Sequence, residues 1–357
     1  MRTYRLFATF TLTALLSVAA APGADPRLMN LVMPDSTTLV GANVANAKNT
    51  PFGQYILTQM TATMNQNLQS FVTATGFDPR QDVSEILGAS TGSAANPSGL
   101  VVAIGNFPVS QLTAAIAAKA PQLTVQTYNG ATLITSAATP ATATTPAQPA
   151  YSVAFLSGTI AAVGDSVSVK AAVDRSSGVN SISPALATQV QSLSTTEDAW
   201  IATVSPFASL LAGLTGGPTT GAAAGPAGAA GGLGQIGQMF NGIQSSSGGV
   251  KFGSTVLITG QALTTDAATA KSIADLMTAL VSIAAMSGGQ TGAGANSQMA
   301  SLAQLLQNMK VTSDGPTVNL TMSVPEAQLE NVINSLKAPA PAPAIKRTVK
   351  PAIIKGE

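Results

Sequence analysis

The chain contains no cysteine and no histidine. The first absence excludes disulfides, thiolate nucleophiles, cysteine-ligated zinc or iron–sulfur sites and a lipid-modified cysteine. The second removes the commonest general base and the commonest metal ligand, so neither a Ser-His-Asp nor a Cys-His arrangement can be built from this chain. Charge is scarce as well: Asp, Glu, Lys and Arg make up 9% of the residues, against about 25% in an ordinary soluble domain. Aromatic residues are 4%, with one Trp, so the cores must come from Val, Ile, Leu, Met and Ala, and the wet faces from Ser, Thr, Asn and Gln. A glycosidase, which needs two carboxylates and commonly holds sugar on aromatic platforms, is poorly provided for. The net charge of +1 conceals a mildly acidic body flanked by a basic start and a basic tail. An acidic body argues against nucleic acid, whose binding rests on a basic surface that releases counterions.

The residues that are present begin with an address. Arg2 and Arg5 precede an apolar run, Leu6 to Val18, and small residues follow at Val18, Ala19 and Ala20. This is the plan of a secretory signal peptide, residues 1–20, with cleavage after Ala20 and a periplasmic or extracellular destination. An uncleaved N-terminal anchor is the alternative. Cleavage one residue later would place Pro22 just beyond the cut. Elsewhere, the most apolar stretch, Ile273–Met286, is amphipathic and bracketed by loop signals.

Periodicity predicts the elements. Thr37–Val44 reads as a strand. Thr50 and Pro51 read as an N-cap and first helical residue for one helix of about twenty residues carrying Phe52, Ile56, Met60, Met64 and Leu68. A short helix is expected at Asp82–Leu87, a strand at Leu100–Ile104 and a helix at Pro108–Lys119. A hairpin is expected around Asn129-Gly130, the strongest short-range hairpin signal. Strands at Val153–Leu156 and Ile160–Val163 lead to a helix capped by Asp165. A strand at Trp200–Val204, a helix from Pro206, a strand at Val250–Gly260 and a long helix from Asp266 follow. A short helix is expected around Leu302–Leu306. A hairpin turns at Asp314-Gly315, and Ser323 with Glu326 suggests a capping box for a last helix.

This order predicts an α+β protein of two ferredoxin-like units, residues 30–180 and 195–337. Each would be an antiparallel sheet with helices on one face, together forming an internal duplication. Residues 137–150, 215–234 and 287–297 are Pro-, Ala- or Gly-rich insertions. Residues 338–357 form a Pro/Ala-rich spacer that turns basic at Lys346, Arg347, Lys350 and Lys355. That tail reads as a solvated terminus or as a contact for anionic envelope components.

Three stretches carry a resemblance: Met33-Pro34-Asp35-Ser36-Thr37, Thr75-Gly76-Phe77-Asp78-Pro79 with Ile86-Leu87-Gly88 beyond it, and Ala162-Val163-Gly164-Asp165 with Val173-Asp174-Arg175. In these the first half resembles an uncharacterised family of secreted, acidobacterial-type proteins. The resemblance implies export and an α+β fold, and it implies no activity.

Local motifs have plain structural readings. Gly232-Leu233-Gly234-Gln235-Ile236-Gly237 has dinucleotide-loop spacing but follows a Gly/Ala tract in place of a strand. Asp78, Asp82 and Glu85 lack the alternation and bend glycine of a calcium loop; Asp82 and Glu85 read as a cap and its partner. Asp165 and Arg175 suit opposite ends of one helix dipole, and Glu197-Asp198 reads as a solvated pair. No catalytic, cofactor or metal residues are expected. The expected function is that of an exported, non-catalytic, envelope-associated binding or structural protein. The alternatives are a carboxylate- or serine-dependent hydrolase such as a glycosidase, and a membrane-anchored subunit of an envelope assembly.

Overall fold

The computed structural model describes residues 23–62, 65–91, 98–140, 149–178, 182–204, 242–288, 305 and 307–337. The signal segment, the helix expected at Pro206, the glycine motif 232–237, most of the three insertions, most of the Leu302–Leu306 helix and the basic tail lie outside these residues. Among the described residues no helix is long and apolar enough to cross a membrane.

Among the described residues twelve strands form one antiparallel sheet. In chain order they are β1 (Thr38–Asn43), β2 (Val83–Ser90), β3 (Gly99–Gly105), β4 (Thr124–Tyr128), β5 (Ala131–Thr135), β6 (Tyr151–Phe155), β7 (Ile160–Asp165), β8 (Ala199–Thr203), β9 (Ile243–Lys251), β10 (Thr255–Thr264), β11 (Met309–Asp314) and β12 (Thr317–Pro325). Their order across the sheet is β11-β12-β10-β9-β8-β1-β2-β3-β7-β6-β5-β4. The fold is α+β, as expected, but the two expected sheets are one. β1 and β8 pair directly, Val40 opposite Ile201 and Gly41 opposite Trp200. At that seam a Cβ on Gly41 would come within 2.3 Å of the Trp200 ring, so only glycine lets the indole lie across β1.

The connectivity also departs from the expected ferredoxin-like units. There, two strands joined by a helix leave room for a third between them; here β1 and β2 are neighbours although helices connect them. Those helices are α2 (Val44–Ala47), α3 (Pro51–Ala62), α4 (Asn65–Thr75) and α5 (Pro79–Asp82), with α1 (Pro26–Met29) before β1. The single helix expected over Phe52–Val72 is thus two, while Thr50 caps α3 as predicted, its hydroxyl accepting from Gly53 N at 3.1 Å.

Further helices are α6 (Val109–Lys119), α7 (Ser166–Arg175), α8 (Pro184–Thr196), α9 (Ala267–Gly288) and α10 (Glu326–Lys337). Helices pack against both faces of the first seven strands, not one face, although Val40, Val101 and Val163 stay exposed. Adjacent residues of β7 show this: Ala162 joins a core with Leu39, Leu100 and Trp200 under α1, α7 and α8, whereas Ala161 joins a second core with Phe107, Leu112 and Phe155 under α6. Fully buried leucines such as Leu39, Leu87, Leu100 and Leu186 anchor the first core, each contributing about 1.5–3 kcal/mol by leaving water. The second core is ringed by aromatics, Phe77 and Phe107 at 5.4 Å and Phe107 and Phe155 at 5.8 Å between centroids.

Four local expectations are corrected. Asp82–Leu87 is not a helix: Val83–Ser90 is a strand held between β1 and β3, with Leu87 and Ala89 turned into the core. Two flanking ladders outweigh the weak capping signal. Val250–Gly260 is not one strand but the turn and flanks of the β9–β10 hairpin. Ser323 does not cap the last helix, because it still pairs with Leu257 inside β12. The acidic pair at Glu197-Asp198 is treated below. The two hairpin turns form where expected, with positive φ at Asn129, Gly130 and Gly315.

Candidate functional site

A well-formed concavity lies on the second half of the sheet. β8, β9, β10 and β12 supply its floor and α9 its roof, enclosing a cavity of about 260 Å³. α9 forms because Asp266 caps it, its carboxylate accepting from Thr269 N at 2.8 Å. Those bonds hold the Asp266 carboxyl below its ordinary range. Ile273 and Met277, one turn apart, face down from the helix.

The floor is shallow because two glycines meet there: Gly248 of β9 lies opposite Gly260 of β10. Ile201 flanks them on one side and Leu320 on the other. A Cβ built on Gly260 would meet only the Leu320 side chain, at 3.5 Å, so this space is open to a larger residue without strain. Among the described residues no charged side chain lines the cavity; its polar lining is hydroxyl and amide, from Thr203, Ser246, Ser247 and Gln261. Such a lining favours an uncharged, apolar guest.

The acidic residues picked out from the sequence are dispersed. Asp78 caps α5 and forms an ion pair with Arg80 at 2.7 Å, which holds its carboxyl below the usual range. Asp82 accepts from Asp78 N at 2.7 Å. Asp165 caps α7 as expected, accepting from Ser168 N at 2.8 Å, while Arg175 at the other end reaches Leu31 O at 2.7 Å and is pulled down in pKa by burial. Among the described residues no three acidic side chains gather as a metal site.

Glu197 and Asp198 are the pair whose reading changes. They are not a solvated pair. Asp198 is 3% exposed and accepts from Lys251 Nζ at 2.9 Å, Phe252 N at 2.7 Å and Asn46 Nδ2 at 3.3 Å. It thereby ties the start of β8 to both β9 and the helix after β1. Glu197 accepts from Thr259 at 3.0 Å. With Glu85 it borders a second hollow of about 20 Å³ beside Trp200, the volume of one water molecule. Glu85 accepts from Asp25 N at 3.0 Å, and burial raises its carboxyl above the ordinary 4.5.

The cavity was not foreseen. The signal that could have shown it is a pair of glycines, Gly248 and Gly260, within apolar β-patterned sequence beside an amphipathic helix; alone, such glycines read as weak strand.

No family model matches the chain, and no curated protein sequence matches it. Among solved structures, three crystal forms of TP0453 are similar in outline. Form I covers 89% of this chain and 100% of its own at 12% identity and a TM-score of 0.43. Form III covers 87% and 98% at 12% identity and 0.48. Form IV covers 87% and 96% at 11% identity and 0.49. Similarity this slight carries no functional information.

Proposed function

We propose that this is an exported, non-catalytic binding protein that holds an apolar small molecule in the cavity beneath α9. One observation carries the reading: a half-enclosed hollow of about 260 Å³ with a glycine floor and no charged side chain among its described lining residues. The carboxylates support it from the other side. A glycosidase would gather two of them in one cleft large enough for a sugar; here Asp78 and Asp165 cap helices, Asp198 ties strands together, and Glu85 and Glu197 border a hollow the size of one water. The run of Arg2, Arg5 and Leu6–Val18 supports export, and the destination is the periplasm or the cell exterior.

We also infer an internal duplication, supported by strand order. β1-β2-β3-β7-β6 and β8-β9-β10-β12-β11 run outward from the seam in the same sequence of steps. β4 and β5 are then an addition to the first half.

The test is a titration of purified protein lacking residues 1–20 with an environment-sensitive neutral naphthyl dye. The unmodified protein binds one equivalent saturably. Gly260→Leu, which projects a side chain into the hollow, abolishes binding while circular dichroism and melting temperature hold. Met277→Trp fills the same space from the roof and guards against misfolding of the first variant. Equal binding by both folded variants and the parent overturns the reading.

A further inference from the structure

The cavity floor is part of a longer row. Reading one residue from each neighbouring strand, the paired positions are Leu320, Gly260, Gly248, Ile201, Val40, Gly88, Val101 and Val163. All eight are apolar or glycine, and all point to the face that bears α9. With strands about 4.8 Å apart, the row runs roughly 34 Å, of which the cavity takes about 14 Å. Beyond Ile201 the row is open: Val40 is 46% exposed, Val101 45% and Val163 42%. Central strands normally bury such side chains, and a contiguous exposed apolar strip marks a binding surface. Gly88 keeps the strip low between Val40 and Val101, since a Cβ there would touch nothing nearer than 3.9 Å. Thr38 and Ser90, one step along the strands, set a polar margin on one side.

We infer that the ligand is an elongated, uncharged hydrocarbon chain: one end fills the cavity, and the rest passes Ile201 and lies along Val40, Val101 and Val163. This rests on the cavity reading and adds the substrate class. The occupant is assigned from continuity and charge. The strip begins at the cavity wall without a break, Ile201 lining the cavity while pairing with Val40. No residue of the row carries a charge, so nothing recognises an ionic group along it, and a polar head group stays in water. A compact apolar ligand would use the cavity and leave the strip idle.

Calorimetry with straight-chain primary alcohols of about six to sixteen carbons tests this. Inside the cavity each added methylene raises affinity about fourfold; on the strip, where one side stays wet, about twofold. Affinity therefore continues to climb after the cavity is full. Val101→Thr and Val163→Thr keep shape and strand preference; together they lower long-chain affinity several-fold and leave short-chain affinity unchanged. A plateau at short chain length, with the variants silent, overturns the inference and leaves the cavity reading standing. Failure of every chain length to bind overturns the cavity reading itself. Light scattering that shows a dimer broken by Val101→Thr assigns the strip to a second copy and likewise overturns the inference.

Discussion

The two halves of the sheet share a strand order but are finished differently. The first seven strands carry helices on both faces, and the space under α6 is plugged by Phe107 and Phe155 with Phe71 and Phe77 against them. The corresponding space under α9 is bounded by Ile243, Ile273, Met277 and Val318, with no aromatic among its described residues, and it is hollow. One frame thus serves two ends. Where rings fill the space the sheet is packed against its helix; where glycines and aliphatics line it a cavity is left.

The sharpest way to break this comparison is truncation of one residue in each space. Phe107, 7% exposed between the rings of Phe77 and Phe155, should cost about 3–5 kcal/mol on change to Ala. Ile273→Ala should cost about 2 kcal/mol, because its methyls already border empty volume and lose fewer contacts. Urea unfolding of both variants decides; equal costs would mean that the second space is packed as well as the first.

A smaller effect is expected where the halves meet. Asp198→Ala strands Lys251 and the amide of Phe252, and should cost about 2 kcal/mol in the same assay. Asp198→Asn retains an acceptor for that amide and should recover about half. No loss on change to Ala would mean that the seam rests on the β1–β8 ladder alone.

The smallest effect is a pH dependence at the same seam. Burial raises the Glu85 carboxyl in the folded protein, so the fold binds this proton more tightly than the unfolded chain does. Its contribution is present below the ordinary 4.5 and is lost as pH rises through the raised folded value. Glu85→Gln should therefore gain stability relative to the parent as pH increases across that window. A parent–variant difference that is flat in pH would refute the assignment.

What could be read from the sequence was local. Asn129-Gly130, the caps at Thr50 and Asp165 and the helices α6 and α9 each depend on a few neighbouring residues, and each formed as expected. α8 was legible and passed over: Ser183 caps it, Pro184 opens it, and Leu186, Val190 and Leu193 share a face. β2 was misread because Asp82 and Glu85 mimic a capping box, while the forces that make it a strand come from β1 and β3, far away in sequence. β9 hid behind Ser245, Ser246, Ser247 and two glycines, residues of low strand preference that hold only because β8 and β10 flank them. The union of two sheets into one depends on a pairing more than a hundred residues apart, Val40 with Ile201, and the cavity on nearer but still non-local ones, Ile201 with Gly248 and Gly260 with Leu320.

The β1–β8 ladder has a consequence for ancestry and for engineering. Severed there, either half would offer a naked edge, Thr38–Asn43 or Ala199–Thr203, whose amides and carbonyls demand a partner. A sister copy would answer that demand antiparallel, strand against the same strand about a dyad. On the proposed duplication, the present polypeptide would correspond to such a pair joined end to end, with one of its two chambers filled and the other left open.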